Sequence, residues 1–322
     1  MFTLIRKAFR LLFSSKLKIF VMLLSTLVFL VVLFPTNDLG DLVSTQVARL
    51  SGNTLFLQFE ELKMSLFPAP GMKVEQVFVE AAGLPGVAAR EITFTPSVGG
   101  LIAQKPYGSV SAKGLFKGNL QVQVKSGSRS ENGVERQKVE IHAQKLSLQE
   151  LREVARLPVV MRGQLDLDTQ ALIDLSFMEQ PDMDINLNIR QFELPPSNVM
   201  TPMGPLTLPD LKLSSVELKG RLAGGRLIIE NGRIGNESDE LRGTITGNLD
   251  LTLLNNGGGL SPVLGGYTFN VDLKAKRNFQ DRANLFLTFI DAYKTPTSEG
   301  AEYKFKVSAA STLVPPSIGA AR

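Results

Sequence analysis

The sequence contains no cysteine and no tryptophan, and His142 is its only histidine. Without cysteine, the chain cannot form a disulfide framework, a cysteine-ligated zinc site or a thiol nucleophile. Any mechanism that needs a histidine base must use His142. These absences exclude a large share of catalytic strategies. The chain is 322 residues long, 43% apolar and 20% charged, which is typical of a folded protein.

Charge of one sign is concentrated at the start of the chain. The first 34 residues hold five basic side chains and no acidic ones, whereas residues 35–322 hold 30 basic and 31 acidic residues. The sequence pI of about 9.2 therefore reflects the N-terminal segment. A nucleic-acid-binding protein concentrates Lys and Arg on its folded part. We therefore expect no nucleic-acid partner.

One long apolar run, Ile19–Phe34, predicts a transmembrane helix. Its 16 residues span about 24 Å, and Lys16 and Lys18 can reach the headgroups to make up the remaining thickness. The positive-inside rule places the basic segment 1–18 in the cytoplasm and residues 35–322 across the membrane, in a periplasm if the cell has one. A cleaved signal peptide is the alternative, but the run is long and Phe34–Asn37 lacks a small-residue cleavage site. We expect a single-pass membrane protein with its N-terminus in the cytoplasm.

Helical periodicity is confined to three short segments beyond this run. The apolar spacing predicts a helix over Asp38–Leu50, with Gly52 as its stop. A capping box of Ser147 and Glu150 predicts a second helix over Ser147–Leu157. The third segment, Asp281–Tyr293, has spacing that fits either a helix or a strand.

Alternation with period two dominates the rest of the chain and predicts well over ten strands. Apolar residues occupy every second position, and the positions between them carry Lys, Glu, Asp, Gln or Thr. This pattern predicts a mainly β fold built on a large antiparallel sheet with one apolar face. The clearest examples are Leu120/Val122/Val124, Met183/Ile185/Leu187/Ile189, Leu249/Leu251/Leu253 and Phe269/Val271/Leu273.

Two loops and a weak repeat organise this β region. Ser126–Gly133 predicts a flexible hairpin connection, and Leu194–Pro209, with five prolines, cannot be a central strand. We expect one domain over 35–322, with 195–209 as the candidate boundary between halves at 35–195 and 210–322. A Gly-x-apolar-x-apolar form recurs at Gly118, Gly163 and Gly247, which fits either shared β composition or successive similar meanders.

The candidate catalytic and metal-binding residues all lie on predicted strand faces. Glu140 and His142 could pair as acid and base, but a surface histidine explains the pattern better. Asp166/Asp168 and Asp182/Asp184 have spacings seen in calcium sites, yet Leu187 stands where a calcium loop requires glycine. Gly257–Gly259 lacks the lysine of a phosphate loop. We therefore predict a non-enzymatic protein with no catalytic, cofactor-binding or metal-binding residue, and no cofactor.

A large sheet with one apolar face must hide that face from water, and the short helices look insufficient for this. The sheet can close on itself, bind another protein, or hold lipid chains in an open groove. Exposed strand edges also favour pairing with partner strands.

The order of motifs resembles that of AsmA-like periplasmic proteins. The segment Leu62–Val77, with Leu66-Phe67-Pro68 at its turn, resembles their opening strands, and Ala89–Phe94 followed by Gly99-Gly100-Leu101 resembles the next strand and hydrophobic turn. The Gly-x-apolar cadence of 218–247 and the Thr312–Pro315 ending follow the same pattern. Length and the single N-terminal span look most like the type II secretion system protein N (GspN) family.

The resemblance implies an inner-membrane accessory component of type II secretion that scaffolds other secretion proteins through its periplasmic sheet. It also implies, as the alternative, an AsmA-like lipid-binding or lipid-transfer protein with phospholipid in an apolar β-groove. The fold expected is an N-terminal transmembrane helix followed by a large antiparallel sheet, as a groove, half-barrel or open barrel, with two or three short helices.

Overall fold

The fold is known from a computed structural model. It describes residues 18, 20–23, 25–26, 29, 38–50, 55–65, 70–81, 85–105, 107–130, 132–155, 157, 159–174, 177–201, 204–255 and 260–321. The predicted span 19–34 therefore lies largely outside the described residues. Among the described residues, no helix is both long enough and apolar enough to cross a membrane.

The described chain is mainly β, as the alternation predicts. Its strands are β1 (Leu55–Gln58), β2 (Glu61–Ser65), β3 (Gly71–Ala81), β4 (Val87–Pro96), β5 (Gly108–Leu115), β6 (Gly118–Arg129), β7 (Glu135–Ser147), β8 (Arg162–Ile173), β9 (Asp182–Leu194), β10 (Ser197–Thr201), β11 (Gly204–Leu208), β12 (Leu211–Ala223), β13 (Arg226–Ile234), β14 (Leu241–Asn255), β15 (Leu260–Lys276), β16 (Lys294–Pro296), β17 (Gly300–Ala309) and β18 (Ser317–Ala320).

Sixteen of these strands form one antiparallel sheet, which is a meander: nearly every strand pairs with the next one along the chain. At one edge β1 and β2 pair with the two halves of β3, and at the other edge β16 and β18 pair with the two halves of β17. The sheet is not closed, because these two edges do not pair with each other. Closure of the sheet on itself is thus not how its apolar face is hidden.

The proline-rich segment is an excursion from this sheet. It forms the separate hairpin of β10 and β11, while β9 pairs directly with β12 from Leu194↔Leu211 to Met183↔Leu222. The sheet therefore continues without a break past residues 195–209. The predicted loop over Ser126–Gly133 is shorter than expected, because Ser126–Arg129 continue β6.

The helices are few and short, as expected: α1 (Asp38–Leu50), α2 (Val98–Ala103), α3 (Leu148–Ala155), α4 (Arg277–Arg282), α5 (Asn284–Leu287) and a 3-10 helix (Thr288–Tyr293). The prediction for Asp38–Leu50 is confirmed, and α3 lies within the predicted Ser147–Leu157. The ambiguous segment Asp281–Tyr293 is helical. Its helices cover one end of the sheet with the buried side chains of a cluster around Phe279, Leu287, Ile290 and Tyr303.

Glycines on adjacent strands lie beside irregularities in the strand pairing. The pairing register shifts at Lys219/Gly220 in β12 and between Ile229 and Gly232 in β13. Gly247 in β14 has φ +150°, and a Cβ there would overlap the backbone of the neighbouring strand β15. Bulges of this kind increase the local twist of a sheet.

Candidate functional site

The apolar face of the sheet is the most extensive feature that the structure assembles. Cross-strand partners lie on the same face, so the pairing register shows which side chains share it. One row of partners crosses fourteen strands and contains only apolar residues and glycine. Its members, from β2 to β18, are Leu62, Val74, Ile92, Ala112, Leu120, Ala143, Leu167, Leu187, Leu218, Gly232, Ile245, Val271, Phe305 and Ala320.

A second row lies two residues along each strand and is interrupted by a single polar residue, Thr169. Its members are Met64, Met72, Phe94, Val110, Val122, Ile141, Thr169, Ile185, Gly220, Ile229, Gly247, Phe269, Val307 and Ile318. A third, from β4 to β17, runs through Pro96, Gly108, Val124, Val139, Ala171, Met183, Leu222, Leu227, Leu249, Tyr267 and Ala309. We call these three rows together the apolar face.

The apolar face is large by the standards of a protein surface. Fourteen strands spaced about 4.8 Å apart extend over roughly 60 Å, and three rows extend about 14 Å along the strands. Exposed apolar patches on monomeric proteins are generally no larger than a few hundred Å². The three rows cover on the order of 800 Å² of sheet, on which some side chains are buried, such as Ala143 at 2%, while Phe94 at 43% and Val110 at 38% are exposed.

The opposite face is polar along its whole length. One row on it contains no apolar residue across ten strands, from Lys63 in β2 to Asn231 in β13: Lys63, Lys73, Thr93, Ser111, Gln121, His142, Asp168, Asn186, Lys219 and Asn231. Ion pairs across neighbouring strands lie on this face, such as Lys73–Glu91 at 2.9 Å and Arg190–Asp166 at 2.7 Å. This is the solvent face of the sheet.

In the middle of the sheet the two faces differ in burial as well as in polarity. In β8, buried Thr169 and Ala171 alternate with exposed Asp168 and Gln170. Yet the main contacts of the central strands are with their neighbours in the same sheet, and the helical cluster covers only the C-terminal end. In this middle region, the apolar side chains are shielded chiefly by one another. Such shielding is expected on the inner side of a sheet that twists and coils.

The helical cover at the C-terminal end is well packed and leaves few atoms unsatisfied. Tyr303 is 1% exposed, and burial raises the pKa of its phenol. The Tyr293 hydroxyl donates a hydrogen bond to the Ile318 carbonyl at 3.0 Å, which ties the 3-10 helix to β18. This end of the sheet is therefore a conventional core, and the rest of the apolar face is not.

The structure separates Glu140 from His142. The Glu140 carboxylate accepts hydrogen bonds from Lys125 at 2.8 Å and Lys138 at 2.9 Å. These two lysines lower the pKa of Glu140 to about 2. His142 Nδ1 lies 2.6 Å from the Asp168 carboxylate, and both side chains are exposed on the polar face. The Glu140 carboxylate is thus paired with Lys125 and Lys138 and is not positioned as an acid–base partner of His142.

The aspartates singled out by spacing belong to separate contacts. Asp166 accepts a hydrogen bond from the Lys145 amide at 2.9 Å and pairs with Arg190, whereas Asp182 pairs with Arg136 at 2.6 Å. Asp184 lies exposed on β9. Within the described ranges, no three acidic or histidine side chains converge as a metal site would require. Gly257–Gly259 lie outside the described residues.

Sequence reasoning predicted the apolar face but could not name the side chains that meet on it. The signal was present as the alternation of each strand. The register that aligns Val122 with Ile141, or Leu187 with Leu218, depends on bulges that leave no clear mark in the sequence. Comparison with known proteins finds no matching family model, no matching curated protein and no matching solved structure. The family resemblance therefore stays a prediction.

Proposed function

We propose that this chain is a non-enzymatic, membrane-anchored protein whose sheet forms an open groove that binds the acyl chains of lipids on its apolar face. The observation that carries the proposal is the pair of apolar rows that cross fourteen strands with Thr169 as their one polar member. Burying an apolar surface releases about 25 cal/mol per Å², so the exposed part of this face, which includes Met64, Phe94 and Val110, favours an apolar occupant.

The shape of the face favours acyl chains over a globular protein partner. One acyl chain spans about half of a ~30 Å hydrocarbon core, which matches the width of the three rows. The half-buried state of side chains such as Val122 and Ile141 supports a concave surface, which a chain molecule fills more readily than a second sheet does. The polar side chains on the opposite face keep that side of the sheet in water.

The experiment is photo-crosslinking of the full-length chain in liposomes whose phospholipid carries a diazirine in its acyl chain. We expect crosslinks on peptides from β5 to β9, located by mass spectrometry. Phe94→Glu and Val110→Glu place a charge at exposed positions of the apolar face and should reduce these crosslinks at least tenfold. Ser109→Glu, on the polar face beside Val110, is the matched control and should leave them unchanged. Crosslinks confined to the predicted span 19–34 would contradict the proposal.

A second candidate function is accessory work in type II secretion, with the sheet scaffolding other secretion proteins. The length of the chain and its single predicted span, which resemble those of the type II secretion protein N family, favour it. The Leu62–Val77 opening, which resembles that of AsmA-like proteins, corresponds to β2 and β3 at a sheet edge. The short edge strands β1, β2 and β18 offer backbone groups that a partner strand could pair with. A role in type II secretion describes the cellular process that the protein serves, and it is compatible with lipid binding by the sheet.

The secretion candidate has its own test. Deletion of the gene should trap folded exoproteins in the periplasm while the outer membrane stays intact. Normal secretion with a leaky, detergent-sensitive envelope would count against this role and leave lipid handling as the cellular function.

A further inference from the structure

The direction of α1 shows which end of the sheet lies nearest to the predicted membrane span. Gly40 and Ser44 of α1 line a cavity together with Phe59 and Leu62, whereas Leu50, at the other end of α1, precedes β1 by four residues. The helix α1 therefore runs antiparallel to β1 and β2. Its N-terminus points toward the end of the sheet where β2 finishes, which we call the lower rim.

Chain length places the predicted span close to this rim. Six residues, or about 20 Å, separate Phe59 from Ser65, which ends β2 at the lower rim. The chain N-terminal to Gly40 covers part of that distance, because residues 35–37 can extend over about 10 Å. We therefore expect the predicted span, which ends outside the described residues, to meet the sheet at its lower rim.

The lower rim carries exposed apolar side chains on four separate connections between strands. They are α2 between β4 and β5, the 174–181 loop between β8 and β9, the β14–β15 hairpin, and the 310–316 segment between β17 and β18. Their most exposed members are Ile102 at 82%, Met178 at 75% and Leu313 at 92%. Val98, Leu254, Val263, Leu264 and Val314 add to the set.

The opposite, upper rim is less apolar among the described residues. Its connection between β13 and β14 is the polar segment 235–240. There the Asp239 carboxylate accepts hydrogen bonds from the Ser214 hydroxyl and the Asn236 amide, and the Ser238 hydroxyl donates to the Asn236 side chain. Exposed apolar side chains among the described residues there are Leu157, Leu285 and Phe289 on two connections, with Leu55, Phe56 and Phe78 at the ends of β1 and β3.

The spacing of the lower-rim residues favours a lipid surface over a protein. The exposed apolar side chains of the lower rim lie on connections spread from β4 to β18, so they do not form one contiguous patch of the kind that protein interfaces bury. A fluid bilayer can take up separate apolar side chains wherever they reach it. The rim also lies at the end toward which α1 points, where the predicted span would enter the bilayer.

We propose that the lower rim rests on the membrane that holds the anchor, with Ile102, Met178 and Leu313 inserted among the lipids. The apolar rows would then begin at the bilayer surface, which gives lipids a route from the membrane onto the sheet. The inference depends on the predicted span and deepens the proposed lipid-binding function.

Because the chain has no cysteine, single labels can be placed without background. The test uses Ile102→Cys, Met178→Cys and Leu313→Cys, each labelled with an environment-sensitive fluorophore in the full-length chain in phosphatidylcholine liposomes. Leu157→Cys and Phe289→Cys on the upper rim are the matched controls. We expect lipid-borne nitroxide to quench the lower-rim labels several-fold more than the controls, and aqueous iodide to do the reverse.

Equal iodide quenching of both rims would overturn the proposal, since the lower rim would then lie in water. Protection of the lower-rim labels from both quenchers would overturn it too, because a protein partner would be covering them. These readouts do not need lipid on the apolar face. Rim insertion and lipid binding can therefore fail separately.

Discussion

Single residues on the polar face show how the sheet keeps one side in water. Glu140 binds Lys125 on the neighbouring strand β6 and Lys138 on its own strand β7, and its pKa falls to about 2 because both hydrogen bonds favour the charged carboxylate. Ion pairs on exposed surfaces contribute little individually. Here Glu91 repeats the arrangement with Lys73 and Lys113, and the pKa of its carboxyl is lowered as well. These pairs fix the register of neighbouring strands and oppose slippage of the apolar rows.

The Glu140 carboxylate predicts a pH-dependent contribution to stability. A carboxyl with a lowered pKa stabilises the fold above its ordinary value of 4.5 and loses that effect as the pH falls toward 2. Glu140→Gln should therefore lower the melting temperature at pH 7, and the gap from the unchanged chain should narrow between pH 4.5 and 2. Thermal circular dichroism across that range measures it.

The control for this prediction is Glu217→Gln, because the nearest cation to Glu217, Arg233, is 3.9 Å away. That variant should change the melting temperature little at any pH. A gap for Glu140→Gln that is the same at pH 3 and pH 7 would show that the carboxylate is not held in its charged form by the lysines.

At the scale of elements, the helices divide the sheet into a covered end and an uncovered remainder. The α4–α5 and 3-10 segment packs Phe279, Ala283, Leu287 and Ile290 onto strands β14, β15 and β17. Elsewhere α3 contacts β7 and β8, α1 contacts β1 and β2, and the remaining apolar face is shielded chiefly by its own side chains. Stability should therefore be concentrated under the helices.

Two phenylalanines in this helical segment provide a matched comparison. Phe279 is 6% exposed within the cluster, whereas Phe289 is 64% exposed. Phe279→Ala should cost about 3–5 kcal/mol of unfolding free energy, because it leaves a cavity, while Phe289→Ala should change it by about 0.5 kcal/mol or less. Denaturant unfolding followed by circular dichroism measures both. Similar costs at the two positions would mean that Phe289 is buried in the folded protein.

Much of this element-level structure was predictable from local pattern. Alternation identified the strands and the capping box at Ser147 identified α3. The short helix α2 was missed as a helix because its Val-Gly-Gly-Leu-Ile-Ala sequence has low helix propensity, although the Ser97 hydroxyl accepts a hydrogen bond from the Gly100 amide at its N-terminus. The extent of the helical cover over Tyr303 was also missed, since tertiary packing and not periodicity decides it.

At the scale of the whole molecule, the meander means that each strand of the sheet contacts mainly the strands before and after it in the sequence. Sequence alone left open whether residues 35–195 and 210–322 form two halves, since a proline-rich segment separates them. The pairing of β9 with β12 spans Met183 to Leu194 and is as long as the pairing of β7 with β8. The hairpin that contains the proline-rich segment leaves and rejoins the sheet at the same place, so the pairing of β9 with β12 is not interrupted there.

Hydrogen exchange of the full-length chain in lipid should reveal this continuity. Amides in β8, β9 and β12 are bonded on both sides and should exchange much more slowly than those in β1, β2 and β18, which can open from an edge. Protection from exchange should rise smoothly from each edge of the sheet toward its middle, with no drop at β9 and β12. If protection of β9 and β12 fell to the level of the edge strands, the β9–β12 junction would be a hinge between two units. The apolar rows would then not form one continuous surface, and a lipid could not pass from the lower rim of one half to the other along the sheet.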